Sequence, residues 1–269
     1  MATHFNTVAW AEGGSIYEVN IRQYTPEGTF KAFQQHLPRL KDMGITIIWL
    51  MPITPISEAK RQGSLGSYYA CSSYTTINHE FGTLEDFKEL VSATHDLGLK
   101  IIIDWVANHT GYDHHWAIEK PDYYIKDEVG NFTEKNGWED VIDLDFSNQN
   151  MQSELINAMQ YWVRACNIDG FRCDVAFLVP ADFWVDARTE LEALKPVFML
   201  AEMETQTDIN PNPKEYFTNA FNANYNWSLH GLSAEIAQGK KSSKDLRKHI
   251  EETYKETPSD VYRMSFLTN

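Results

Sequence analysis

Short apolar runs alternate with longer segments of helical periodicity along almost the whole chain, and this alternation constrains the fold more than any other feature. The runs at 15–24, 45–53 and 100–109 are rich in Ile, Val and aromatic residues, a composition typical of β-strands. The first two are each followed by apolar residues spaced three or four positions apart, as on one face of a helix. Repeated strand–helix units predict parallel strands that are buried on both faces.

Two helices are predicted between these first three strands. The first covers 29–44 and the second covers 83–98. Thr83 is the candidate N-cap of the second helix, Asp86 is the acidic residue that completes a capping box, and Gly98 is the stop signal. A capping box bonds two of the backbone N–H groups that a helix leaves without partners at its start. We therefore expect this helix to begin at Thr83.

The alternation resumes after an irregular stretch at 110–147. Later strands are predicted at 169–176, 196–202, 220–227 and 261–269, and later helices at 152–166, 181–195 and 213–219, with a final pair of helices within 229–256. Seven strands joined in this way predict an α/β fold, a parallel (β/α)8 TIM barrel that is incomplete at its C-terminus, with a doubly wound open sheet as the alternative. The irregular stretch is too long for an ordinary connection. We expect residues 1–109 and 148–269 to form the barrel and 110–147 to form an insertion.

The composition argues against two classes of partner. With 23 Lys and Arg against 38 Asp and Glu, the formal net charge is −15, which argues against a nucleic-acid-binding surface. The longest apolar runs are far shorter than the ~20 residues that cross a bilayer, so no membrane segment is expected. Three cysteines without CxxC spacing are predicted to be buried, reduced thiols. The chain lacks a signal-peptide pattern at its start, and cytoplasmic and exported locations both stay open.

Ionisable residues follow or end three of the predicted strands, at Asp104, at Arg172 and Asp174, and at Glu202. In a barrel of this type the chemistry lies at the carboxyl ends of the strands. Alternation puts Arg172 and Asp174 on one face, where the guanidinium would hold the carboxylate ionised and its pKa low. The alternative is a buried ion pair that only orders the interior of the barrel.

Two carboxyl groups at one rim suit a retaining glycosidase, in which one is a nucleophile and the other a general acid. Asp174 is the candidate nucleophile and Glu202 the candidate acid. Glu204 is the rival for the acid role, because alternation would place it on the same face as Glu202.

Three segments resemble, in order and spacing, signature segments of the α-amylase family, glycoside hydrolase family thirteen. They are DWVANH, GFRCDVAF and a fifth strand that ends in Glu. The segment at 66–91 resembles the family's loop after the second strand, and the insertion at 110–147 resembles a short domain B. The resemblance covers nearly the whole chain and implies a retaining enzyme that cleaves α-1,4 bonds of starch-like glucans or maltooligosaccharides.

The same resemblance implies roles for individual residues. Asp174 matches the family's nucleophile and Glu202 its acid/base. The residues implied to bind substrate or to orient the nucleophile are Tyr69, which stacks on the sugar, His109, which bonds to it, Arg172, which orients Asp174, and Asp104, whose position looks architectural. Ala70 departs from the family, where many members carry Asp. Aromatic faces also suit sugars, and Trp105, Trp116 and Trp138 are weaker candidates for such contacts.

No cofactor is required by this chemistry, and calcium is the one metal that the resemblance brings in. Asn108 matches a position that many members use as a calcium ligand, and Asp143 and Asp145 offer further oxygen atoms. The adjacent residues His114 and His115 could belong to a metal cluster, but a solvated loop whose side chains face different ways is favoured.

The last residues, FLTN at 266–269, resemble the start of the family's fourth signature, in which His and Asp come next. The resemblance implies that this Asp is a third catalytic carboxylate, which puts the activity of the 269-residue chain itself in question. An incomplete barrel exposes strand edges, and self-association through them is expected. Two alternatives stay open: a transglycosylase or isomerase of the same family, such as a trehalose-forming or branching enzyme, and a non-catalytic glucan-binding relative.

Overall fold

The computed structural model describes residues 5–204, 218–256 and 261–266. Its main sheet has seven parallel strands. Their order across the sheet is the same as their order along the chain. The strands are β1 (Ile16–Val19), β2 (Ile47–Leu50), β3 (Lys100–Trp105), β6 (Gly170–Cys173), β7 (Phe198–Ala201), β8 (Ala223–Tyr225) and β9 (Tyr262–Met264). A doubly wound sheet would reverse its order near the middle. The unbroken order confirms the incomplete, curled barrel.

Helices connect the strands, and the predicted capping box is present. The helices are α1 (Ile21–Tyr24), α2 (Phe30–Gln34), α3 (Leu37–Asp42), α4 (Leu84–Asp96), α5 (His115–Glu119), α6 (Gln149–Cys166), α7 (Ala181–Glu192), α8 (Trp227–Ala237) and α9 (Ser243–Glu256). At the start of α4, the Thr83 N–H donates to Asp86 Oδ2 at 2.8 Å and the Asp86 N–H donates to Thr83 Oγ1 at 3.2 Å. Most of the helix predicted at 213–219 lies outside the described residues.

Several boundaries predicted from sequence are wrong, and two of them have a clear local cause. The single helix predicted at 29–44 is two helices, α2 and α3, because Pro38 has no N–H for the carbonyl one turn earlier and its ring clashes there. The first strand ends at Val19 instead of continuing to residue 24. There the Asn20 carbonyl accepts the N–H groups of Gln23 at 3.1 Å and Tyr24 at 3.0 Å, which starts a helical turn.

The sheet buries apolar side chains on both of its faces, as its continuous apolar runs predict. The outer face packs against the helices, where Ile48 of β2 and Ile101 of β3 share a core with Phe30, Phe87 and Trp162. The inner face is lined by Ile47, Trp49, Ile102, Phe198, Leu200, Ala223 and Tyr225. Among the described residues, no helix is long and apolar enough to cross a membrane.

The insertion after β3 carries a small antiparallel sheet. Its strands β4 (His109–Gly111) and β5 (Val141–Asp143) pair with each other, with His109 opposite Asp143. Gly111 lies so close to Ser57 that an added Cβ would be 2.1 Å from the Ser57 Cβ. The insertion is therefore held tightly at the carboxyl end of the main sheet.

Gly170 starts β6, the strand that leads to Arg172 and Asp174. Its φ is +155°, and an added Cβ would lie 1.9 Å from the Phe198 carbonyl oxygen on β7. Only glycine lets the two backbones approach this closely.

Candidate active site

Arg172 lies at the centre of a polar cluster at the carboxyl end of the sheet. Its Nη1 is 2.9 Å from Asp104 Oδ1 and 2.6 Å from Asp174 Oδ1, and its Nη2 is 3.0 Å from Glu202 Oε2. The Arg172 side chain is only 5% exposed. One buried cation therefore binds three carboxyl groups, which come from or directly follow β3, β6 and β7.

Two aromatic side chains of the inner face hold the guanidinium in place. Its Cζ lies 5.1 Å from the ring centroid of Trp49 and 5.6 Å from that of Tyr225, within cation–π range. Arg172 Nε also donates to the Tyr225 hydroxyl at 3.1 Å, and Trp49 Nε1 donates to Asp104 Oδ2 at 3.2 Å. The sequence did not single out Trp49 or Tyr225, because aromatic residues in apolar strands look like ordinary core.

The expectation that Arg172 holds the pKa of Asp174 low is wrong. Burial raises the pKa of Asp174 well above its usual range, although Arg172 opposes the rise, and Asp104 and Glu202 add repulsion. Burial also raises the pKa of Asp104 to about 6, again against the effect of Arg172. The guanidinium does pair with both groups, but one cation shared among several buried carboxyl groups does not offset their loss of water.

Glu202 and Glu204 have different surroundings. Glu202 accepts the Val175 N–H at 2.7 Å as well as pairing with Arg172. Glu204 instead pairs with Arg263 at 2.6 Å and accepts the Ser228 N–H at 2.8 Å. Because β7 ends at Ala201, strand alternation no longer governs the two side chains, and only Glu202 turns toward Asp174.

A cavity of about 970 Å³ opens above this cluster. Of the residues implied by sequence, Tyr69, His109, Arg172, Asp174 and Glu202 line it. Asp104 does not reach it, since its side chain is fully buried beneath Arg172, where it accepts the Tyr69 hydroxyl at 3.3 Å.

Some of the cavity's lining was not anticipated. These residues are Glu18, Asn20, Gln23, Met51, Gln62, Ser67, Gly137, Glu139, Asp140, Val141 and Val175. Glu18 could have been found, because a carboxylate within the apolar strand β1 is the same signal that singled out Asp104 in β3. Burial raises the pKa of Glu18, and repulsion from Asp104 adds to the rise.

Comparisons with known proteins place the chain in a family. The family model for the α-amylase catalytic domain matches residues 11–269. The chain belongs to the α-amylase family. It is 30% identical over 191 residues to the α-amylase MalA of Haloarcula japonica, across 67% of this chain and 28% of that protein.

Two solved structures of the α-amylase family have the same fold. An α-amylase from Lactobacillus plantarum matches with a TM-score of 0.90 and 35% identity, covering 97% of this chain and 64% of its own. An α-amylase from Geobacillus thermoleovorans, solved as a complex with acarbose, matches with a TM-score of 0.69 and 28% identity, covering 84% of this chain and 54% of its own. The chain thus spans 28% to 64% of the lengths of these family members.

His109, implied by the α-amylase resemblance to bond the sugar, is buried beside the cavity. Burial lowers the pKa of His109 to about 4, so the ring is neutral near pH 7. Its Nδ1 lies 3.2 Å from Asn108 Nδ2. The amide –NH2 of Asn108 can only donate, so Nδ1 accepts and Nε2 of the neutral ring carries the hydrogen.

Asn108, which the resemblance implies as a possible calcium ligand, bonds to a neighbouring carboxyl group. Asn108 Nδ2 donates to Asp143 Oδ1 at 3.4 Å, and Asp145 accepts the Ser147 N–H at 2.9 Å instead of joining them. Calcium takes about 6–8 oxygen ligands. Among the described residues, no group of three or more His, Cys, Asp or Glu side chains could hold a metal ion. Calcium ligands also include amide and backbone oxygen atoms, and calcium binding at Asn108 stays a prediction.

The expectation of a solvated, divergent histidine pair is wrong. His114 is fully buried and stacks on His115 with ring centroids 4.6 Å apart, and its Nδ1 accepts the Trp116 N–H at 3.2 Å. Burial lowers the pKa of His114 to about 3. Helix α5 begins at the next residue, and His114 lies in the core at its N-cap. The local sequence does not predict this burial.

The remaining candidates divide into core and cavity residues. Trp105 and Trp116 pack on the buried Tyr74, with ring centroids 5.1 and 5.2 Å away, whereas Trp138 lines the cavity.

All three cysteines are free and buried, as predicted. The end of the resemblance to the fourth signature, at 267–269, lies outside the described residues.

Proposed function

We propose that the protein is a retaining glycoside hydrolase that cleaves α-1,4-glucosidic bonds of starch-like glucans or maltooligosaccharides. One observation carries this proposal: Asp174 and Glu202 bind the two terminal nitrogens of a single guanidinium, at 2.6 and 3.0 Å. Carboxyl groups that share one guanidinium are close neighbours. Retaining enzymes need about 5–5.5 Å between them, whereas inverting enzymes leave about 6.5–9.5 Å for a water molecule.

The ionised form of Asp174, which Arg172 favours against the effect of burial, attacks the anomeric carbon and forms a covalent glycosyl ester as the bond to the leaving oxygen breaks. Glu202 is the acid of this step and gives a proton to that oxygen. Glu202 then takes a proton from water, the water oxygen bonds to the anomeric carbon, and the ester bond to Asp174 breaks. Both carboxyl groups return to their first states, and the product keeps the configuration of the substrate.

The other cavity residues hold the reacting sugar. Arg172 fixes the direction of the Asp174 carboxylate, Tyr69 presents its ring to the sugar, and neutral His109 bonds a sugar hydroxyl. Asp104 contacts no substrate in this proposal. It positions Arg172 and Tyr69, to which it is bonded at 2.9 and 3.3 Å.

Proton NMR of maltoheptaose during digestion tests the reaction. We expect α-anomer product to appear first and Asp174→Asn to abolish it, while Asp186→Asn, an exposed carboxylate on α7, leaves the rate unchanged. First appearance of the β-anomer, or full turnover by Asp174→Asn, contradicts the proposal. Disaccharide isomers or branched products in place of shorter glucans indicate transfer or isomerisation instead of hydrolysis.

A leaving-group comparison tests the role of Glu202. We expect Glu202→Gln to lose maltooligosaccharide cleavage but to retain release of fluoride from α-glucosyl fluoride, which needs no protonation by the enzyme. Glu204→Gln is the matched control, because Glu204 pairs with Arg263 away from the cavity. If the two variants exchange these behaviours, the acid is Glu204.

A further inference from the structure

Asn136 and Gly137 form the one Asn–Gly pair in the sequence. Both residues are exposed, and they lie in a bend of the insertion, outside its strands and helices. Gly137 has a φ of +81°, in the left-handed region that glycine adopts without strain. The bend borders the candidate active site, since Gly137 and the four residues that follow it line the cavity.

A carboxylate lies against the backbone nitrogen of Gly137. Glu134 Oε1 accepts the Gly137 N–H at 2.6 Å, and Glu134 Oε2 accepts the Asn136 N–H at 2.8 Å. Burial acts to raise the pKa of Glu134, but the N–H groups of Trp138, Asn136 and Gly137 lower it, and the resulting pKa is below the ordinary value of 4.5. Glu134 is therefore ionised near pH 7 and can accept a proton.

An Asn–Gly pair can cyclise through the backbone nitrogen of the glycine. That nitrogen attacks the carbonyl carbon of the Asn side chain, and glycine permits the approach because it has no Cβ in the way. The attacking nitrogen must lose its proton, and the side-chain nitrogen must gain one to leave as ammonia. A carboxylate bonded to the N–H can carry the proton from the first nitrogen to the second.

We propose that Asn136 is a site of spontaneous deamidation and that Glu134 is the general base that promotes it. Glu134 takes the proton of the Gly137 N–H, the Gly137 nitrogen bonds to Asn136 Cγ, and the bond from Cγ to Nδ2 breaks with release of ammonia. Water then opens the cyclic imide at either carbonyl, which leaves aspartate or isoaspartate at position 136. Both products add a negative charge, and isoaspartate adds a methylene to the main chain beside the cavity wall.

Mass spectrometry of the folded protein during incubation at pH 8 tests the modification. We expect the tryptic peptide that begins at Asn136 to gain the mass that distinguishes a carboxyl group from an amide, and isoaspartate to accumulate there. Digestion in water labelled with heavy oxygen marks any deamidation that occurs during sample handling. Asn148, Asn150 and Asn157 lie in the same tryptic peptide and should stay amides. No mass gain at Asn136 overturns the proposal.

Glu134→Gln tests the assignment of the base. The glutamine keeps an acceptor oxygen for the bend but loses the charge that attracts the proton, and we expect deamidation at Asn136 to become at least about tenfold slower. Glu128→Gln, at an exposed carboxylate of the same insertion, is the matched control and should deamidate like the wild type. An unchanged rate in folded Glu134→Gln overturns the role of Glu134.

Unfolding in urea separates the effect of the fold from that of the local sequence. In urea the wild type, Glu134→Gln and Glu128→Gln should deamidate at one rate, since the carboxylate no longer bonds to Gly137. A difference that persists in urea overturns the role of Glu134. Circular dichroism checks that each variant folds in buffer. If Glu134→Gln does not, Glu134→Asp, whose shorter side chain keeps the charge but withdraws it from Gly137, should show the same slowing.

The consequence for the cavity rests on the proposed function. We expect maltoheptaose turnover by the wild type to fall as the deamidated fraction at position 136 rises, while Asn136→Gln, incubated in the same way, keeps its rate. Turnover that does not follow deamidation overturns this consequence alone. A fresh protein without turnover overturns the proposed function, whereas the mass gain at Asn136 still tests the modification.

Discussion

The backbone N–H of Val175 donates to Glu202 Oε2 at 2.7 Å, so the residue after the candidate nucleophile holds the candidate acid. Val175 has a φ of +35° and a ψ of 46°, in the left-handed region that β-branched residues avoid. Such strain persists only where the surroundings impose it, and it concentrates at functional sites. Here it turns the N–H of Val175 toward Glu202.

Replacing Val175 by glycine should remove this strain. We expect Val175→Gly to change the free energy of unfolding by less than about 1 kcal/mol, because relief of strain offsets the lost side chain. The matched control is Val179→Gly, at a buried valine with a φ of −104°, which should cost about 2–3 kcal/mol. Urea unfolding measures both. Equal losses in the two variants contradict a strained Val175.

Glu18 should destabilise the folded protein at neutral pH. Burial, and repulsion from Asp104, raise the pKa of Glu18 above its ordinary value of 4.5, so the folded protein binds this proton more tightly than the unfolded chain does. Its stabilising contribution is complete below pH 4.5 and is lost as the pH rises through the folded pKa. Glu18→Gln should therefore be more stable than the wild type at pH 7, by less than about 1 kcal/mol because water partly screens the site.

Urea unfolding at pH 4 and pH 7 measures that difference, which should vanish at pH 4. The exposed Glu27→Gln serves as the control and should behave like the wild type at both values. A Glu18→Gln variant that is less stable than the wild type at pH 7 would mean that the Glu18 carboxylate is stabilised by its neighbours.

His114 should make the protein sensitive to acid. Burial lowers its pKa from 6.5 to about 3. Between these pH values the unfolded chain binds a proton at His114 that the folded protein does not bind. The stability present above pH 6.5 is lost as the pH falls toward 3, by up to about 1.4 kcal/mol per pH unit. In His114→Asn, which keeps an acceptor for the Trp116 N–H, the stability should fall less steeply between pH 6.5 and 4.5.

The exposed neighbour provides the comparison for that slope. His115→Asn should follow the wild-type dependence of unfolding free energy on pH. If both variants keep the wild-type slope, His114 does not titrate differently on folding.

Gly170→Ala should destabilise the protein by about 4 kcal/mol or more, because its Cβ would overlap the Phe198 carbonyl oxygen and its φ of +155° is unfavourable for alanine. Gly231→Ala in α8 is the control, since nothing lies within 4 Å of its added Cβ and alanine favours helix by about 1 kcal/mol. Thermal unfolding monitored by circular dichroism measures both. A Gly170→Ala variant as stable as the wild type would mean that β6 and β7 can move apart.

The sequence predicts charged parts of the site better than aromatic parts. Asp104, Asp174 and Glu202 stand out because each ends or follows an apolar strand, where a carboxylate needs an explanation. Trp49 and Tyr225 carry no such signal, since the same residues would fill any core. Their contacts with Arg172 depend on strands that meet only in the folded sheet.

Burial is the other property that local sequence leaves open. Periodicity predicted the seven strands, but His114 reads as a loop residue until α5 packs it against Tyr74. For the same reason the pKa of Asp174 could not be obtained from its pairing with Arg172 alone. The loss of water around Asp174 is a property of the whole cluster, and it reverses the direction expected from the pair.

Because of the position of Arg172, an intact site requires that the strands of the sheet have assembled correctly. Its contacts reach residues of β2, β3 and β8 and the residue that follows β7, while the arginine itself belongs to β6. Asp174 is two residues from Arg172, but the other partners are distant in sequence. The cluster therefore forms only when five strands have come together. Any ligand that needs the cluster intact would then distinguish the native register from a chain whose strands have merely collapsed.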